Sequence, residues 1–224
     1  SFPTRRSSDL LLRIKYNNST YKIKLNLIGK VQLKNILMAT IAAIKSNISI
    51  KDIFKVIPRI KSVNGRFEKI GKIKNNSKVI LDYAHTPDAL KTCLKNLKEQ
   101  FPGKKISLVF GCGGNRDKTK RPKMAHIASQ LSTQAIFTSD NPRTENPDTI
   151  LEEMEVGGSA ENLKKTITIS DRRQAIKTAC KFSETGDILL IAGKGHENYQ
   201  EINGERFHFD DLVEVKKYFN LLKK

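Results

Sequence analysis

The pattern of apolar and polar positions changes its period along the chain. Residues 21–27 alternate between polar and apolar types, which is typical of a strand, and residues 31–46 then carry apolar side chains at helical spacing. A second, shorter helix is predicted over residues 50–56. The segment SVNGRFEKI (62–70) follows Pro58 and is rich in turn residues and charge. We therefore predict a junction between two domains in this segment.

Beyond the junction, short apolar runs alternate regularly with helical patterns. The predicted strands are 79–83, 106–110, 135–138, 167–169 and 188–192, and the predicted helices are 87–99, 123–131, 149–154, 172–182 and 212–218. Between residues 201 and 209 a small hairpin is predicted around Asn203-Gly204. Strands that alternate with helices form βαβ units. The sequence thus predicts a Rossmann-like α/β fold, with a mostly parallel sheet and helices on both faces.

Four segments rich in polar residues, two of them also rich in glycine, each follow a predicted strand. They are YAHTPD (83–88), GCGGNRDKTKRP (111–122), SDNPRTENP (139–147) and GKGHENYQ (193–200). In open α/β sheets the ligand lies beyond the carboxyl ends of the strands. We therefore expect these four loops to meet at one edge of the sheet and to form a ligand site there.

The side chains in these loops indicate the kind of ligand. Arg116 and Arg143 offer planar guanidinium groups to carboxylates, while Asp140 and Glu197 can accept hydrogen bonds from an ammonium group. A zwitterionic ligand fits this set. The glycines of GCGG (111–114) would let backbone amides approach an anion, but neither GCGG nor GKGH (193–196) has the spacing of a dinucleotide fingerprint or a P-loop.

Five motifs in order carry a specific resemblance. NGRFE (64–68), LDYAHTPDAL (81–90), FGCGGNRDKTKRP (110–122), DNPRTENP (140–147) and AGKGHE (192–197) resemble the motif series of the MurE-type Mur ligases, over residues 25–220. The resemblance implies ATP- and Mg²⁺-dependent addition of meso-diaminopimelate to UDP-N-acetylmuramoyl-L-alanyl-D-glutamate in peptidoglycan precursor synthesis. In that family a carboxylate is first phosphorylated, and the amine of the incoming amino acid then attacks the acyl phosphate.

The same resemblance implies roles for individual residues. The DNPR signature places Arg143 at the distal carboxylate of diaminopimelate, a group that lysine lacks. The amino-acid pocket would contain Arg116, Asp140, Asn141, Pro142, Arg143, Gly193 and Glu197, and the ATP-binding residues would be Arg66, Asp82 and His85. A buried guanidinium left without its partner would penalise lysine as a substrate. The alternative within the family is a lysine-adding Mur ligase, and Arg143 argues against it.

The resemblance also divides the chain. Residues 11–65 would be the end of a central ATP-binding domain, and residues 66–224 would be the C-terminal, amino-acid-binding domain. The family's P-loop, magnesium ligands and modified lysine lie upstream of such a segment. We therefore predict no catalytic residue here and expect the chain alone not to catalyse ligation. Residues 1–10 (SFPTRRSSDL) differ in texture from the rest and are expected to be a non-native tail.

Net charge supports an alternative of another class. The chain carries a formal net charge of +18, and residues 1–76 hold 17 Lys/Arg against only 3 Asp/Glu. Such a balance is found in nucleic-acid-binding modules. Here, however, the lysines are scattered among Ile and Asn, with few aromatic residues on which bases could stack. We therefore favour a solvated lysine-rich surface over a nucleic-acid-binding one. We expect the partners to be small-molecule substrates and not nucleic acid, and we expect the protein to be a monomer. A third interpretation is a truncated gene product without activity.

Other sites are weakly supported. Cys93, Cys112 and Cys180 lie far apart without a CxxC pair, so neither a disulfide framework nor a cysteine-based zinc site is predicted, and Cys112 is not predicted to be catalytic. No stretch is long and apolar enough to span a membrane and no secretory signal is recognisable, so we expect a cytoplasmic protein without membrane partners.

Two further interpretations concern histidines and basic residues. His85 and His196, with Asp82 and Glu197, can be interpreted as a metal cluster, which would indicate a hydrolase. Because no helix carries an i, i+4 histidine pair or paired carboxylates, no metal site is predicted. Three basic residues, Lys120, Arg121 and Lys194, each have two equally supported interpretations. Each could contact a phosphate group or lie on the solvated surface.

Overall fold

The first part of the chain forms a small hairpin-and-helix unit. The computed structural model describes residues 10–16, 18–73 and 77–221. Strands β1 (Leu10–Tyr16) and β2 (Ser19–Leu25) pair antiparallel, and helices α1 (Val31–Lys45) and α2 (Ile50–Val56) follow, with a 3₁₀ turn at Ile57–Arg59. Its small core is made of aliphatic side chains from all these elements: Leu10, Ile23, Leu25, Leu27, Ile36, Ile53 and Ile57.

The second part is built on one six-stranded sheet. Its elements are β3 (Glu68–Ile73), β4 (Ser77–Asp82), α3 (Pro87–Gln100), β5 (Ile106–Phe110), α4 (Lys120–Leu131), β6 (Gln134–Phe137), α5 (Pro147–Glu155), α6 (Ala160–Leu163), β7 (Thr166–Thr168), α7 (Arg172–Phe182), β8 (Ile188–Ala192), β9 (Tyr199–Ile202), β10 (Glu205–His208) and α8 (Asp211–Leu221). The sheet order is β3-β4-β8-β5-β6-β7. Strand β3 is antiparallel to β4, and the other pairs are parallel. The predicted α/β fold with a mostly parallel sheet is confirmed.

Alternation along the central strands explains why both faces are covered. Every residue of β5 and β8 is buried. Leu108 of β5 and Leu190 of β8 pack into the core shared with α3, α4 and α5. Their strand neighbours Val109 and Leu189 pack into the core shared with α7 and α8. Successive side chains of a strand point to opposite faces, so a continuous apolar run requires helices on both sides.

N-terminal caps fix the points at which three loops become helices. Thr86 Oγ1 accepts a hydrogen bond from the Ala89 amide at the start of α3, and Asn146 Oδ1 accepts one from Asp148 at the start of α5. Asp171 Oδ1 caps α7 through the amide of Gln174. These short polar side chains satisfy amides that have no partner within the helix. Two of the three capped loops belong to the predicted ligand edge.

Three elements were not predicted from the sequence. Strand β1 begins at Leu10, which pairs with Leu25, so the last residue of the expected non-native tail belongs to the hairpin; the rest of that tail lies outside the described residues. Strand β3 begins in the last residues of the predicted junction segment and contains a register shift between Lys69 and Gly71. Helix α6 has only four residues. Strand β3 lies at an edge and helix α6 is short, and the apolar pattern of both is weak.

Candidate functional site

The loops after β4, β5, β6 and β8 lie at one edge, because these parallel strands all end there. Direct hydrogen bonds join the loops in pairs. The Gly193 amide donates to the Asp82 carbonyl at 3.1 Å, and the Gly114 amide donates to the Asn141 carbonyl at 2.9 Å. The Thr138 amide donates to the Phe110 carbonyl at 3.0 Å. The loops that carry the predicted site residues are thus brought together in the structure.

Lys194 lies at the centre of this edge and is fully buried. Its Nζ donates to Asn141 Oδ1 at 2.8 Å and to the Tyr199 carbonyl at 2.7 Å. The same atom lies 3.1 Å from Asp140 Oδ1 and 3.9 Å from Glu197 Oε2. The Asp140 contact has the distance of an ion pair but not the geometry of a hydrogen bond, since Oδ1 has no hydrogen-bond partner among the described residues. Lys194 is therefore the counter-ion of the pocket acids, and it is not available to an external phosphate.

Two side chains orient the Glu197 carboxylate. Asn141 Nδ2 donates to Glu197 Oε2 at 3.0 Å, and the Tyr83 hydroxyl donates to Glu197 Oε1 at 3.2 Å. Burial, and secondarily the negative charge of Glu197, raise the pKa of Tyr83, so the phenol stays protonated as a donor. Asn141 Oδ1 in turn accepts from the Glu201 amide at 3.0 Å. Glu197 is thus held in a fixed orientation, and Asp140 shares the buried cation Lys194 with it.

Arg143 is held by its main chain as well as by its side chain. Its φ angle is 54°, a left-handed conformation that is uncommon for a residue with a side chain. The Arg143 amide donates to the Glu201 carbonyl at 2.9 Å, and its carbonyl accepts from the Asn203 amide at 2.6 Å. Nη1 donates to the Gly114 carbonyl at 2.8 Å, while Nε lies 3.5 Å from Glu201 Oε2. The hairpin β9–β10 therefore fixes where this guanidinium lies.

The glycine loop is adapted to close packing. A Cβ on Gly111 would lie 2.1 Å from the Thr138 carbonyl oxygen, and one on Gly114 would lie 1.9 Å from the Pro142 carbonyl oxygen. The Gly114 amide is already bonded to Asn141. The expectation that these glycines expose amides to an anion is therefore wrong for Gly114. These two glycines instead let the GCGG and DNPR segments touch.

Arg116 and Pro142 complete the predicted amino-acid pocket, in different ways. Pro142 is buried, and its carbonyl accepts from the Glu145 amide at 3.0 Å. Arg116 is exposed, and it makes no hydrogen bond within residues 10–16, 18–73 and 77–221. Its Cγ is 3.8 Å from the position of a Cβ on Gly113, and Arg143 Nη1 is 3.0 Å from the same position. The two arginines thus lie on the same side of the glycine loop.

Arg121 of α4 links the loop after β5 to the loop after β6. Its side chain is completely buried; Nη1 and Nη2 donate to Glu145 at 2.9 and 3.0 Å, and Nη2 also reaches the Gly113 carbonyl at 3.2 Å. The hydrogen bond from Arg121, followed by one from the Asn115 amide, lowers the pKa of Glu145 to about 2. Arg121 is therefore a structural residue, and neither a phosphate contact nor a solvated position.

The predicted ATP-binding residues cluster around Tyr83. Asp82 Oδ2 accepts from the Phe67 amide at 2.8 Å, and Oδ1 accepts from the Ala84 amide at 2.9 Å. Burial raises the pKa of Asp82, and the two backbone hydrogen bonds oppose that rise. The Arg66 guanidinium lies 4.4 Å from the centroid of the Tyr83 ring. Asp82 therefore ties the two loops together rather than facing solvent.

His85 and Lys120 extend this cluster. His85 packs edge-on against Tyr83 with ring centroids 4.6 Å apart, and its Nδ1 lies 2.9 Å from the Tyr83 carbonyl oxygen. Lys120 Nζ donates to the His85 carbonyl at 3.1 Å. Arg66 and His85 are exposed and Lys120 is half-buried, so their polar ends can reach a ligand. Lys120 keeps both of its interpretations.

The two candidate clusters are in direct contact. A Cβ on Gly65 would lie 2.2 Å from the His196 amide nitrogen, and one on Gly195 would lie 2.7 Å from Tyr83 Cβ. The segment NGRFE therefore packs against the loop GKGHE. The residues that the resemblance places near ATP therefore lie next to those that it places near the amino acid.

The weaker sequence interpretations can be placed as well. Cys93, Cys112 and Cys180 are buried free thiols, and burial raises the pKa of Cys112 to about 12, which leaves it unsuited to act as a nucleophile. In the described part of the chain, no group of three or more His, Cys, Asp or Glu side chains could hold a metal ion. Among those same residues, no helix has the length and apolarity needed to cross a membrane.

Comparison with known proteins adds a family to this geometry. The family model of the Mur ligase, glutamate ligase domain, matches residues 65–195, which is more than half of the chain. The chain belongs to the Mur ligase family. The match spans β3, β4, the glycine loop, the DNPR segment and β8 and ends at Gly195, so this Mur ligase domain includes most of the edge described above, while Glu197 and the hairpin β9–β10 follow the matched residues.

Individual relatives of this Mur ligase domain are similar over most of its length. The UDP-N-acetylmuramoyl-L-alanyl-D-glutamate–2,6-diaminopimelate ligase of Bacteroides thetaiotaomicron is 45% identical over 206 residues, which are 92% of this chain and 42% of that protein. The ligase of the same name from Cytophaga hutchinsonii is 46% identical over 198 residues, or 88% of this chain and 40% of that protein. The chain therefore spans about two fifths of the length of these curated relatives.

Solved structures agree with the fold. A structure of a UDP-N-acetylmuramoyl-L-alanyl-D-glutamate–2,6-diaminopimelate ligase superimposes with a TM-score of 0.72 at 37% identity, covering 96% of this chain and 43% of that one. The UDP-N-acetylmuramate–alanine ligase of Thermotoga maritima gives a TM-score of 0.65 at 17% identity, with 96% and 43% coverage. The second likeness shows that the fold is shared beyond recognisable sequence similarity.

Three residues that organise the Mur ligase edge were missed or left open by sequence reasoning. Tyr83 directly follows a buried strand, and this position alone was a usable signal. Lys194 gave only the signal of a lysine after a strand, which does not distinguish a buried counter-ion from an exposed phosphate ligand. Glu201 gave none, because its position beside Arg143 depends on how the hairpin folds back.

Proposed function

We propose that this chain carries the amino-acid acceptor site of an ATP-dependent ligase that adds meso-diaminopimelate to UDP-N-acetylmuramoyl-L-alanyl-D-glutamate in peptidoglycan precursor synthesis. The observation that carries the proposal is the position of Arg143, a fixed guanidinium two residues after Asn141, which orients the Glu197 carboxylate. The names of the relatives from Bacteroides thetaiotaomicron and Cytophaga hutchinsonii support the same reaction.

The acidic side of the site suits an ammonium group. Asp140 and Glu197 supply two negative charges, and Lys194 supplies one buried positive charge between them. The excess of negative charge favours a cationic ligand group, and Gly193, at φ 111°, lies close by, since a Cβ there would be 3.4 Å from Asp140 Oδ2. Coulombic attraction in a partly buried site is stronger than in water. The amino group of an incoming amino acid would bind here.

The basic side of the site suits a carboxylate. Arg143 Nη1 is occupied by the Gly114 and Asn141 carbonyls at 2.8 and 3.5 Å. Its Nη2 makes no hydrogen bond within the described residues, and the exposed Arg116 lies nearby. A planar guanidinium with one unused edge can bind a carboxylate through two hydrogen bonds. Diaminopimelate presents such a group at its distal end, and lysine does not.

Arg66, His85 and Lys120 would contact ATP, with Asp82 holding their loops in place. Their exposed or half-buried polar groups fit phosphate, since cations and imidazole donors bind phosphate oxygens. ATP supplies the phosphoryl group that activates the carboxylate, and Mg²⁺ neutralises the phosphates. This chain's own contribution is to hold the acceptor amine in a fixed orientation beside that centre, which is a large component of catalysis between bound groups. The proposed partners are small molecules, and we expect the reaction to take place in the cytoplasm.

A binding comparison on the chain itself tests this proposal. Titration with meso-diaminopimelate and with L-lysine, followed by ligand-observed NMR, is expected to give an affinity for diaminopimelate on the order of millimolar and a weaker one for lysine. Arg143→Ala should weaken diaminopimelate binding by about tenfold or more, because a charge-assisted hydrogen bond pair is lost. Lysine binding should change little.

Two controls sharpen that test. Arg173→Ala removes an arginine of α7 whose partner is Glu214 and which does not belong to the four loops, so it should leave both affinities unchanged. Retained lysine binding by Arg143→Ala would show that the pocket is still folded. Equal binding of both ligands to the unaltered chain would contradict the assignment to diaminopimelate, and stronger binding of lysine would favour the lysine-adding alternative.

A further inference from the structure

The side chain of Glu201 lies beside the edge of Arg143 that a ligand carboxylate would use. Glu201 Oε2 is 3.5 Å from Arg143 Nε, which is an ion-pair distance without a hydrogen bond. The two side chains are 23% and 19% exposed, so a ligand can reach both. A carboxylate that binds Nε and Nη2 of this guanidinium would therefore meet a like charge at the same place.

The main chain of Glu201 fixes this arrangement. Its amide donates to Asn141 Oδ1 at 3.0 Å, and its carbonyl accepts from the Arg143 amide at 2.9 Å. Ile202, the next residue, forms an isolated parallel bridge with Arg143. Glu201 is therefore not a side chain that happens to pass a nearby arginine, because its backbone is bonded to the segment that carries Arg143.

Arg143 does not need Glu201 for its orientation. Nη1 is already anchored on the Gly114 carbonyl at 2.8 Å, and both main-chain polar groups of Arg143 are bonded to the hairpin. The Glu201 contact is the only ion pair of this guanidinium among the described residues, and at 3.5 Å it is looser than the 2.8 Å hydrogen bond to Gly114, so it is the contact that a ligand can displace. Two carboxylates cannot both gain the full attraction of one guanidinium, since each repels the other.

We propose that Glu201 is a specificity-determining residue that competes with the ligand carboxylate for Arg143. The inference rests on the proposed function of this edge as the diaminopimelate site. Without ligand, Glu201 neutralises the guanidinium. A ligand with a distal carboxylate must displace or share that interaction, whereas a ligand without one leaves the pair intact. Glu201 therefore lowers the affinity for diaminopimelate and narrows the discrimination against lysine.

Glu201→Gln tests this competition, because it removes the charge and preserves the shape and the backbone bonds. We expect the dissociation constant of meso-diaminopimelate to fall by about threefold at low salt, as is typical of one partly exposed ion pair. The affinity for L-lysine should not rise. The gain should shrink at high ionic strength, since salt screens charges that solvent can reach.

Glu205→Gln is the matched control, since Glu205 lies on the same hairpin, is exposed, and carries the same charge. It should leave the affinity unchanged. In an Arg143→Ala background, Glu201→Gln should also have no effect on diaminopimelate. The inference is overturned if Glu201→Gln weakens or does not alter diaminopimelate binding, or if Glu205→Gln gives the same gain. If the unaltered chain does not prefer diaminopimelate to lysine, the proposed function fails first, and the role of Glu201 fails with it.

Discussion

At the scale of single residues, Lys194 determines the charge balance at the edge of the sheet where the four loops meet. This buried ammonium has two acids within 4 Å, at 3.1 Å for Asp140 and 3.9 Å for Glu197, and hydrogen bonds to Asn141 and Tyr199. Removal of one member of a buried ion pair leaves the other charge uncompensated, which costs far more than loss of a surface pair. Lys194 thus links the stability of the fold to the binding site.

Lys194→Met should therefore lower the free energy of unfolding by about 3 kcal/mol. Chemical denaturation followed by circular dichroism measures this change. Lys55→Met is the control, because Lys55 forms an exposed pair with Asp52 and should give no measurable change. Equal effects of the two substitutions would show that Lys194 is not the buried counter-ion that its contacts indicate.

Glu145 gives a prediction of pH dependence. Hydrogen bonds from Arg121 and the Asn115 amide lower its pKa from 4.5 to about 2 in the folded state. A lowered carboxylate pKa stabilises the fold above the unfolded value near 4.5, and this contribution is lost as the pH falls towards 2. Glu145→Gln should therefore destabilise the chain by about 1 to 2 kcal/mol at neutral pH, after allowance for solvent screening.

The difference in stability between Glu145→Gln and the unaltered chain should decrease steadily between pH 4.5 and about 2. Denaturation curves recorded across that range measure it. Asp148→Asn, at an exposed position on α5, serves as the comparison for loss of a nearby carboxylate. A difference that stays constant with pH would mean that the Arg121–Glu145 pair does not form.

At the scale of elements, the hairpin β9–β10 determines the position of Arg143. Its turn, Asn203-Gly204, has φ angles of 51° and 80°, as the right-handed twist of a two-residue hairpin requires. Gly103, in the turn between α3 and β5, has a φ of 73°, and a Cβ on either glycine would meet no atom within 4 Å. The two glycines thus differ in location but not in local strain.

Gly204→Ala and Gly103→Ala should each destabilise the chain by about 1 kcal/mol, because alanine is disfavoured in the left-handed region. Only Gly204→Ala should weaken diaminopimelate binding, by about threefold, since the Asn203 amide bonds the Arg143 carbonyl at 2.6 Å. Parallel unfolding and titration measurements separate the two effects. Equal loss of binding in both variants would rule out a specific role for the hairpin.

Elements with a strong apolar pattern were predictable from the sequence. Strands β5 and β8 and helices α2 and α7 have the predicted bounds, because buried strands read as continuous apolar runs and caps mark helix starts. Strand β3 was not predicted, since it is a charged edge strand with a register shift. Its pairing with β4 depends on a neighbour in space, and a local pattern does not record such a neighbour.

The candidate site was predictable to a similar degree. The four loops could be placed at one edge from strand order alone, because parallel strands end together. The contacts within that edge could not. Glu201 lies beside Arg143 only because the hairpin after β8 folds back, and Arg121 is buried only because Glu145 and Glu153 come from a distant loop and helix.

At the scale of the whole molecule, the described chain combines a hairpin-and-helix unit with a Mur ligase domain. The net charge of +18 is compatible with a nucleic-acid-binding module. The family match over residues 65–195 explains the loops at the edge of the sheet without nucleic-acid binding. The chain spans 42% of the length of the relative from Bacteroides thetaiotaomicron. The central claim is that the carboxyl edge of this sheet binds an amino acid with two charged ends.

Chemical-shift mapping tests that claim most directly. In amide spectra of the isotope-labelled chain titrated with meso-diaminopimelate, we predict that the largest shifts occur at Gly113, Arg143, Gly193 and Glu197. Residues of the β1–β2 hairpin, such as Lys22, should remain unshifted. Shifts confined to the β1–β2 hairpin, or no shifts at ligand concentrations well above the millimolar range, would contradict the assignment of the carboxyl edge of the sheet as the amino-acid site.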